Sequence, residues 1–143
     1  MTTIAQVIEA AKTDHMVLVN VHSHVKGTDE FKALIDGATA WYKELDGTEK
    51  QVTWAKSLRD AIVFSLAYNI IRNRIANTIN TYQYDLMQHD LAFDVAKKRL
   101  RTVACQSKSG WYIQTTSQSQ IDLLMQTVRD SVSGYPLKNT QPL

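Results

Sequence analysis

The chain has 143 residues and a net charge of +2, with 44% hydrophobic and 21% charged residues, as in an ordinary globular domain. These values exclude a disordered chain, and they predict a single helical domain over 1–143 with a tail over 134–143. No apolar run approaches the roughly 20 residues of a membrane span, and the N-terminus lacks the pattern of a signal peptide, so we expect a soluble intracellular protein with no membrane partner.

The first part of the chain predicts a helix followed by an ambiguous segment. Apolar residues at helical spacing predict a helix over 3–12, with Thr2 or Thr3 as its N-cap. Over 16–25, alternating valines favour a short strand, although the same residues are compatible with the start of a buried helix.

The next segments predict a helix, a turn and an extended piece. Thr28 caps a helix whose apolar face runs over 31–45, with acidic residues in its first turn that complement the helix dipole. Gly47 is the expected C-cap of this helix. Residues 51–54 are expected to be extended.

The second half of the chain predicts further helices. A long helix is expected from about Ser57, ending in a polar loop over 77–83, and Asp90 is the expected cap of the next helix. Residues 111–116 favour an extended conformation, and a last helix is expected over 121–132, capped by Ser117 or Ser119. The fold class is therefore mainly α, a four- to five-helix bundle with or without short extended segments.

Charge is segregated along this chain. Residues 1–49 carry four basic and eight acidic side chains, whereas 50–108 carry ten basic and four acidic ones. The basic residues gather in two clusters, which are typical of polyanion-binding proteins, although either cluster alone also fits a solvated helix face. The clusters are Arg72-Asn73-Arg74 and Lys97-Lys98-Arg99 with Arg101.

Nothing in the sequence argues for catalysis. His22 and His24 would share one side of a strand near His15, but a metal site needs further ligands, so we predict no metal and no cofactor. His89 is expected to lie at a helix start rather than to act as a base. The chain has no phosphate-binding glycine loop and no nucleophile motif, and we expect it not to be an enzyme.

Two other residue types bear on binding. Tyr82 and Tyr84 lie between the basic clusters, where bases could stack on them, although they also fit ordinary structural tyrosines. Cys105 is the only cysteine, which excludes an internal disulfide, and we expect it to be a small buried residue.

Four stretches together resemble the coat proteins of rod-shaped plant viruses of the tobacco mosaic virus type. They are the run over 61–75, which ends in Arg-Asn-Arg-Ile, the segments Trp41-Tyr-Lys and Gln51-Val-Thr, and the segment Phe93-Asp-Val-Ala with the arginines that follow it. The resemblance implies a four-helix bundle stacked into a helical rod, with RNA between the inner ends of the helices. This chain is shorter before Ala61 and adds a C-terminal helix.

The resemblance also implies residue roles and a function. Arg72 and Arg74 would neutralise phosphates, and Asp94 with Arg99 or Arg101 would lie at the same radius. We expect a virion protein, made in the host cytoplasm, that assembles helically around nucleic acid, with RNA more expected than DNA. The expected nucleic-acid-binding residues are Arg72, Asn73, Arg74, Asp94, Lys97, Lys98, Arg99 and Arg101.

Three different functions are also compatible with this sequence. Filamentous archaeal virus coats, which wrap double-stranded DNA, fit the same charge and helicity. A small helical regulator that binds nucleic acid would use the same basic clusters without forming a polymer. A phage or bacterial interaction module would use them to meet an acidic protein partner.

Overall fold

The chain folds into helices, as its sequence predicts. The computed structural model describes residues 2–79, 86–115, 118–123 and 126, except for the side chains of 18, 19, 21, 22, 76–79 and 86–92. About 80% of the described residues are helical and none forms a strand, which confirms the mainly α fold class. In chain order the helices are α1 (Ile4–Thr13), α2 (Met16–Val19), α3 (Val21–Lys26), α4 (Asp29–Ala40), α5 (Glu49–Ile79), α6 (Leu86–Ala104) and α7 (Ser109–Gln114).

The 31-residue helix α5 is the centre of the fold. Helices α1, α3, α4, α6 and α7 all pack against it. Its buried apolar positions recur every three or four residues, so they form a broad buried face, and each fully buried aliphatic side chain contributes about 1.5–3 kcal/mol. None of the described helices is long and apolar enough to span a bilayer. The buried apolar residues of α5 are Ala55, Ile62, Val63, Leu66, Ala67, Ile70, Ile71 and Ile75.

Two predicted helix starts are confirmed by their hydrogen bonds. The Thr3 hydroxyl accepts from the Gln6 amide at 3.1 Å, and the Gln6 side chain accepts from the Thr3 amide at 2.9 Å, which completes a capping box. The Thr28 hydroxyl accepts from the Phe31 amide at 3.2 Å, and Asp29 lies in the first turn of α4 as predicted. Capping of this kind contributes about 1 kcal/mol for each helix.

One segment that the sequence left ambiguous is helical, and one predicted extended segment is wrong. Residues 16–25 form α2 and most of α3 instead of a strand, and Val25 is fully buried. Residues 51–54 lie inside α5, which begins at Glu49 rather than near residue 57. A reciprocal pair sets this start, because the Thr48 hydroxyl accepts from the Gln51 amide at 3.2 Å while the Gln51 side chain accepts from the Thr48 amide at 3.0 Å.

The ends of two helices also differ from the prediction. Helix α4 ends at Ala40, so Gly47 is not its C-cap; it lies in the connection to α5 with a φ of 117°, a conformation that favours glycine. Helix α6 begins at Leu86, so Asp90 lies inside it rather than at its cap.

The C-terminal region is described in part. Residues 109–114 form α7, so the extended conformation expected over 111–116 is wrong as far as residue 114. Ser119 lies within the helical residues 118–123 and so does not cap them. Ser117, most of 124–132, the tail expected over 134–143 and residues 80–83 of the expected loop lie outside the described residues, whereas residues 77–79 of that expected loop belong to α5.

A buried arginine joins the connection after α4 to α5 and α7. Arg59 is only 7% exposed, and its guanidinium carbon lies 3.8 Å from the centre of the Tyr42 ring and 6.0 Å from that of Tyr112. Its Nη1 donates to the Lys43 carbonyl at 3.0 Å, and the Tyr42 hydroxyl donates to Asp60 at 3.0 Å. Burial is the largest cause and the bond to Asp60 the next largest that raise the pKa of Tyr42 above its ordinary value.

Candidate nucleic-acid interface

The two basic clusters of the sequence meet at one aromatic ring. The Arg74 guanidinium, on α5, lies 5.2 Å from the centre of the Phe93 ring on α6. The Lys97 ammonium, one turn further along α6, lies 4.8 Å from the same centre. Helices α5 and α6 pack against each other, which brings together cations that are more than 20 residues apart in the chain.

A second cation–aromatic pair continues the first along α6. Arg101 follows Lys97 by four residues and therefore lies on the same side of the helix. Its guanidinium carbon lies 5.3 Å from the centre of the Trp41 ring at the end of α4. We call the surface formed by Arg74, Phe93, Lys97, Arg101 and Trp41 the basic–aromatic strip.

The strip is accessible to a ligand. The Trp41 side chain is 49% exposed and the Lys97 side chain 40%, while Arg101 is exposed. Each cation–π contact at such a site is worth about 0.5–1 kcal/mol to the fold, and the exposed Arg101 side chain presents its charge to solvent. Cations that alternate with partly exposed rings are the combination used to hold phosphates while bases stack.

The other predicted basic residues and Asn73 lie on α5 and α6 outside the strip. Arg72 and Lys98 are exposed, on α5 and α6 respectively, and Asn73 is half-buried beside Arg72. Arg99 instead contacts the segment over 118–123, because its Nη2 donates to the Gln120 side chain at 3.0 Å. Gln120 is buried, so Arg99 attaches this segment to α6.

Asp94 lies beside the strip and lowers its positive charge. Its carboxylate forms an ion pair with the Lys97 ammonium at 3.3 Å, between residues three positions apart on α6. The Asp94 side chain is 64% exposed, so the pair is screened by solvent and contributes little to stability. A phosphate at Lys97 would compete with this carboxylate.

Sequence reasoning misses the two aromatic members of the strip. Periodicity places Trp41 and Phe93 on apolar helix faces, yet Trp41 is half exposed and Phe93 is half-buried between two cations. The aromatic residues expected to stack bases, Tyr82 and Tyr84, lie outside the described residues. The spacing of Phe93, Lys97 and Arg101 every four residues is the signal that indicates one helix side.

Of the histidines considered for metal binding or catalysis, His15 and His24 have described side chains. His15 is exposed and His24 is half-buried in α3, while the side chains of His22 and His89 lie outside the described residues. Within the described part of the chain, no group of three or more His, Cys, Asp and Glu side chains is arranged to hold a metal ion. Cys105 is half-buried rather than fully buried, and its thiol donates to the Thr102 carbonyl at 3.5 Å.

Comparison with protein-family models, with curated proteins and with solved structures gives no significant match.

Proposed function

We propose that this chain is a structural subunit that binds nucleic acid and assembles with copies of itself along it, as the coat protein of a rod-shaped or filamentous virus does. The observation that supports this proposal is the meeting of Arg74 and Lys97 over the single ring of Phe93. In this proposal the protein acts without catalysis, in the virion, and is made and assembled in the host cytoplasm.

The size of the strip suits a polymer better than a lone binding protein. The strip has three cations, Arg74, Lys97 and Arg101, while Arg72 and Lys98 are exposed outside it on α5 and α6. Phosphate contacts supply most of the non-specific affinity, so a protein acting alone needs many of them. Subunits that share one nucleic acid and contact each other need only a few phosphates apiece.

Exposed apolar side chains away from the strip support contacts between copies. Trp54 on α5 is 55% exposed, Met16 on α2 is 49% exposed, and Phe64 on α5 is 42% exposed. Together with the acidic first third of the chain and its basic middle, these side chains give each subunit surfaces that another copy can cover. Single-stranded RNA is the proposed cargo, because exposed rings beside cations favour unpaired bases.

Electron microscopy tests the assembly directly. We expect the purified protein, at near-neutral pH and moderate salt, to form rods, discs or filaments with added RNA. Uniform small particles with and without RNA would contradict the polymer, and discrete complexes of fixed stoichiometry would indicate a regulator instead.

Salt-dependent binding tests the strip. Lys97→Ala with Arg101→Ala removes two phosphate contacts, and each such contact to a single strand contributes about 0.7 to the slope of log affinity against log salt. The double variant should therefore lower the slope by about 1.4. Lys12→Ala with Lys50→Ala removes the same charge from exposed positions outside the strip and should leave the slope almost unchanged. Equal slopes for the two double variants would show that the strip does not hold phosphates.

A further inference from the structure

A groove between α4 and α6 opens beside the strip. Its volume is about 330 Å³, at the lower end of the roughly 300–1,000 Å³ typical of small-molecule sites. Aliphatic residues and Gly37 make up half of its lining residues, and aromatic and charged residues make up the other half. The lining residues are Glu30, Ala33, Leu34, Gly37, Ala38, Trp41, Phe93, Lys97, Leu100 and Arg101.

The two walls of the groove carry opposite charges, with cations on the α6 wall and a carboxylate on the α4 wall. Lys97 and Arg101 are the cations of α6 in the lining, and both also belong to the strip. Glu30 contributes a carboxylate to the opposite wall, on α4, where one of its oxygens accepts from the Ile4 amide at 2.9 Å. A phosphate is repelled by this carboxylate and attracted by the two cations, whereas an uncharged aromatic group meets apolar walls.

We propose that the groove receives one unpaired base of a single-stranded nucleic acid, with the flanking phosphates held at Lys97 and Arg101. This inference rests on the proposed function and specifies its ligand. The base stacks against the exposed Trp41 ring or the Arg101 guanidinium plane, both of which are surfaces used for base stacking. A duplex keeps its bases inside and cannot insert one without unpairing it, so the groove selects single strands.

Gly37 provides a way to close the groove without removing any binding group. A Cβ added at Gly37 would have no heavy atom within 4 Å, so a larger side chain fits there and projects from a lining position of the groove. Gly37→Leu therefore occupies space that a base would need and keeps every cation and ring. Gly110→Leu is the matched control, because a Cβ at that exposed position in α7 is equally unobstructed.

The experiment compares two probes with each variant. One probe is a labelled, non-self-complementary RNA of about 12 nucleotides, and the other is a ribose-phosphate oligomer of equal length that lacks bases. The natural chain should bind the RNA about tenfold or more tightly than the base-free oligomer, since stacking of one base supplies that much affinity. Gly37→Leu should abolish this difference and leave the affinity for the base-free oligomer unchanged, whereas Gly110→Leu should keep it.

The outcomes separate this inference from the proposed function. If Gly37→Leu retains the preference for RNA, or weakens both probes equally, the groove does not hold a base. If neither probe binds the natural chain, both the proposed function and this inference are wrong. A second pair, Trp41→Ala and Trp54→Ala, checks the stacking surface, because only Trp41 lies in the groove while both rings are about half exposed.

Discussion

Ser109 binds Asp46 through both its backbone amide and its hydroxyl, although 63 residues separate the two in the chain. The amide donates to the Asp46 carboxylate at 3.1 Å, and the hydroxyl donates to the Asp46 carbonyl. The Asp46 amide in turn donates to the Ser107 carbonyl at 3.0 Å, and Lys108 forms an ion pair with the carboxylate at 3.3 Å. These bonds hold the connection before α5 against the start of α7.

Acid should weaken this junction. The hydrogen bond from the Ser109 amide lowers the pKa of the Asp46 carboxyl most, and Lys108 lowers it further. A lowered folded-state pKa contributes stability that is present above the unfolded value of about 4 and is lost as pH falls through the folded value. Asp46→Asn keeps an acceptor oxygen but not the charge, so its stability should fall less than that of the natural chain on acidification below about pH 4.

Urea unfolding of both proteins at pH 7 and at pH 3 measures this difference. Asp36→Asn, which removes a charge from the exposed side of α4, is the control and should keep the acid sensitivity of the natural chain. Identical acid sensitivity of Asp46→Asn and the natural chain would contradict the prediction.

Tyr112→Phe should destabilise the protein by about 1–2 kcal/mol at neutral pH. The Tyr112 side chain is fully buried, and its hydroxyl donates to the Val103 carbonyl at 2.5 Å and to the Ala104 carbonyl at 3.3 Å, at the end of α6. Phenylalanine leaves these buried carbonyls without that donor. Thermal unfolding measures the loss, and Tyr68→Phe, a half-buried tyrosine on α5, is the control.

Tyr112 should also make the stability of the protein depend on pH in the alkaline range. Burial raises the pKa of Tyr112 to about 12 from 10.0. A raised folded-state pKa contributes stability that is complete below the unfolded value and is lost as pH rises through the folded value, here between about pH 10 and 12. The natural chain should therefore lose more stability over this range than Tyr112→Phe does. Parallel curves for the two proteins would show that Tyr112 does not titrate in this way.

The same substitution at two glycines should have opposite effects. Gly37 lies within α4, and no heavy atom lies within 4 Å of the position that a Cβ would take, so Gly37→Ala should stabilise the protein by about 0.5–1 kcal/mol. Gly47 has a φ of 117°, and a Cβ there would lie 2.8 Å from Oε1 of Gln51, which completes the cap of α5. Gly47→Ala should therefore destabilise by about 1 kcal/mol or more. Chemical denaturation measures the free energy of unfolding of both variants. Changes of the same sign for Gly37→Ala and Gly47→Ala would contradict this prediction.

Asp94→Asn should strengthen nucleic-acid binding. Asp94 pairs with Lys97 at 3.3 Å and repels phosphates, so its removal frees the cation. An exposed pair of this kind is worth up to about 1 kcal/mol, which predicts about a two- to fivefold gain in affinity at low salt that shrinks as salt is added. Asp36→Asn serves as the control in RNA titrations. Weaker binding by Asp94→Asn would show that this carboxylate assists the ligand rather than competing with it.

The sequence predicts helices best where caps and periodicity agree. Thr3 and Thr28 are recognisable as caps, and both accept the expected amide bonds. The start of α5 is missed because residues 52–54 favour strands locally, while the pair Thr48 and Gln51 already carries the spacing of a capping box. The valines before Val25 leave their segment ambiguous for the same reason, and the helical alternative is the one found, with α3 packed against α5.

The sequence predicts which charged residues belong to the site, but it does not predict how they are positioned relative to one another. Clustering alone indicates Arg74, Lys97 and Arg101, but no pattern within one segment shows that α5 and α6 bring Arg74 to the ring beside Lys97. The bond from Arg99 to Gln120 depends on a segment that lies 21 residues further along the chain. Such long-range placements follow from tertiary packing, which periodicity and propensity do not encode.

The central position of α5 delays folding during synthesis. When α5 has left the ribosome, α1, α3 and α4 are the helices available to cover it among those described, and the surface that packs against α6 and α7 stays open to water. Among the described residues, Tyr112 closes the end of α6 only after it has emerged, and Ile121 packs against the core later still. Nascent chains that stall in between would carry uncovered apolar surface, so we expect slower translation between α5 and α7 to increase aggregation of this protein.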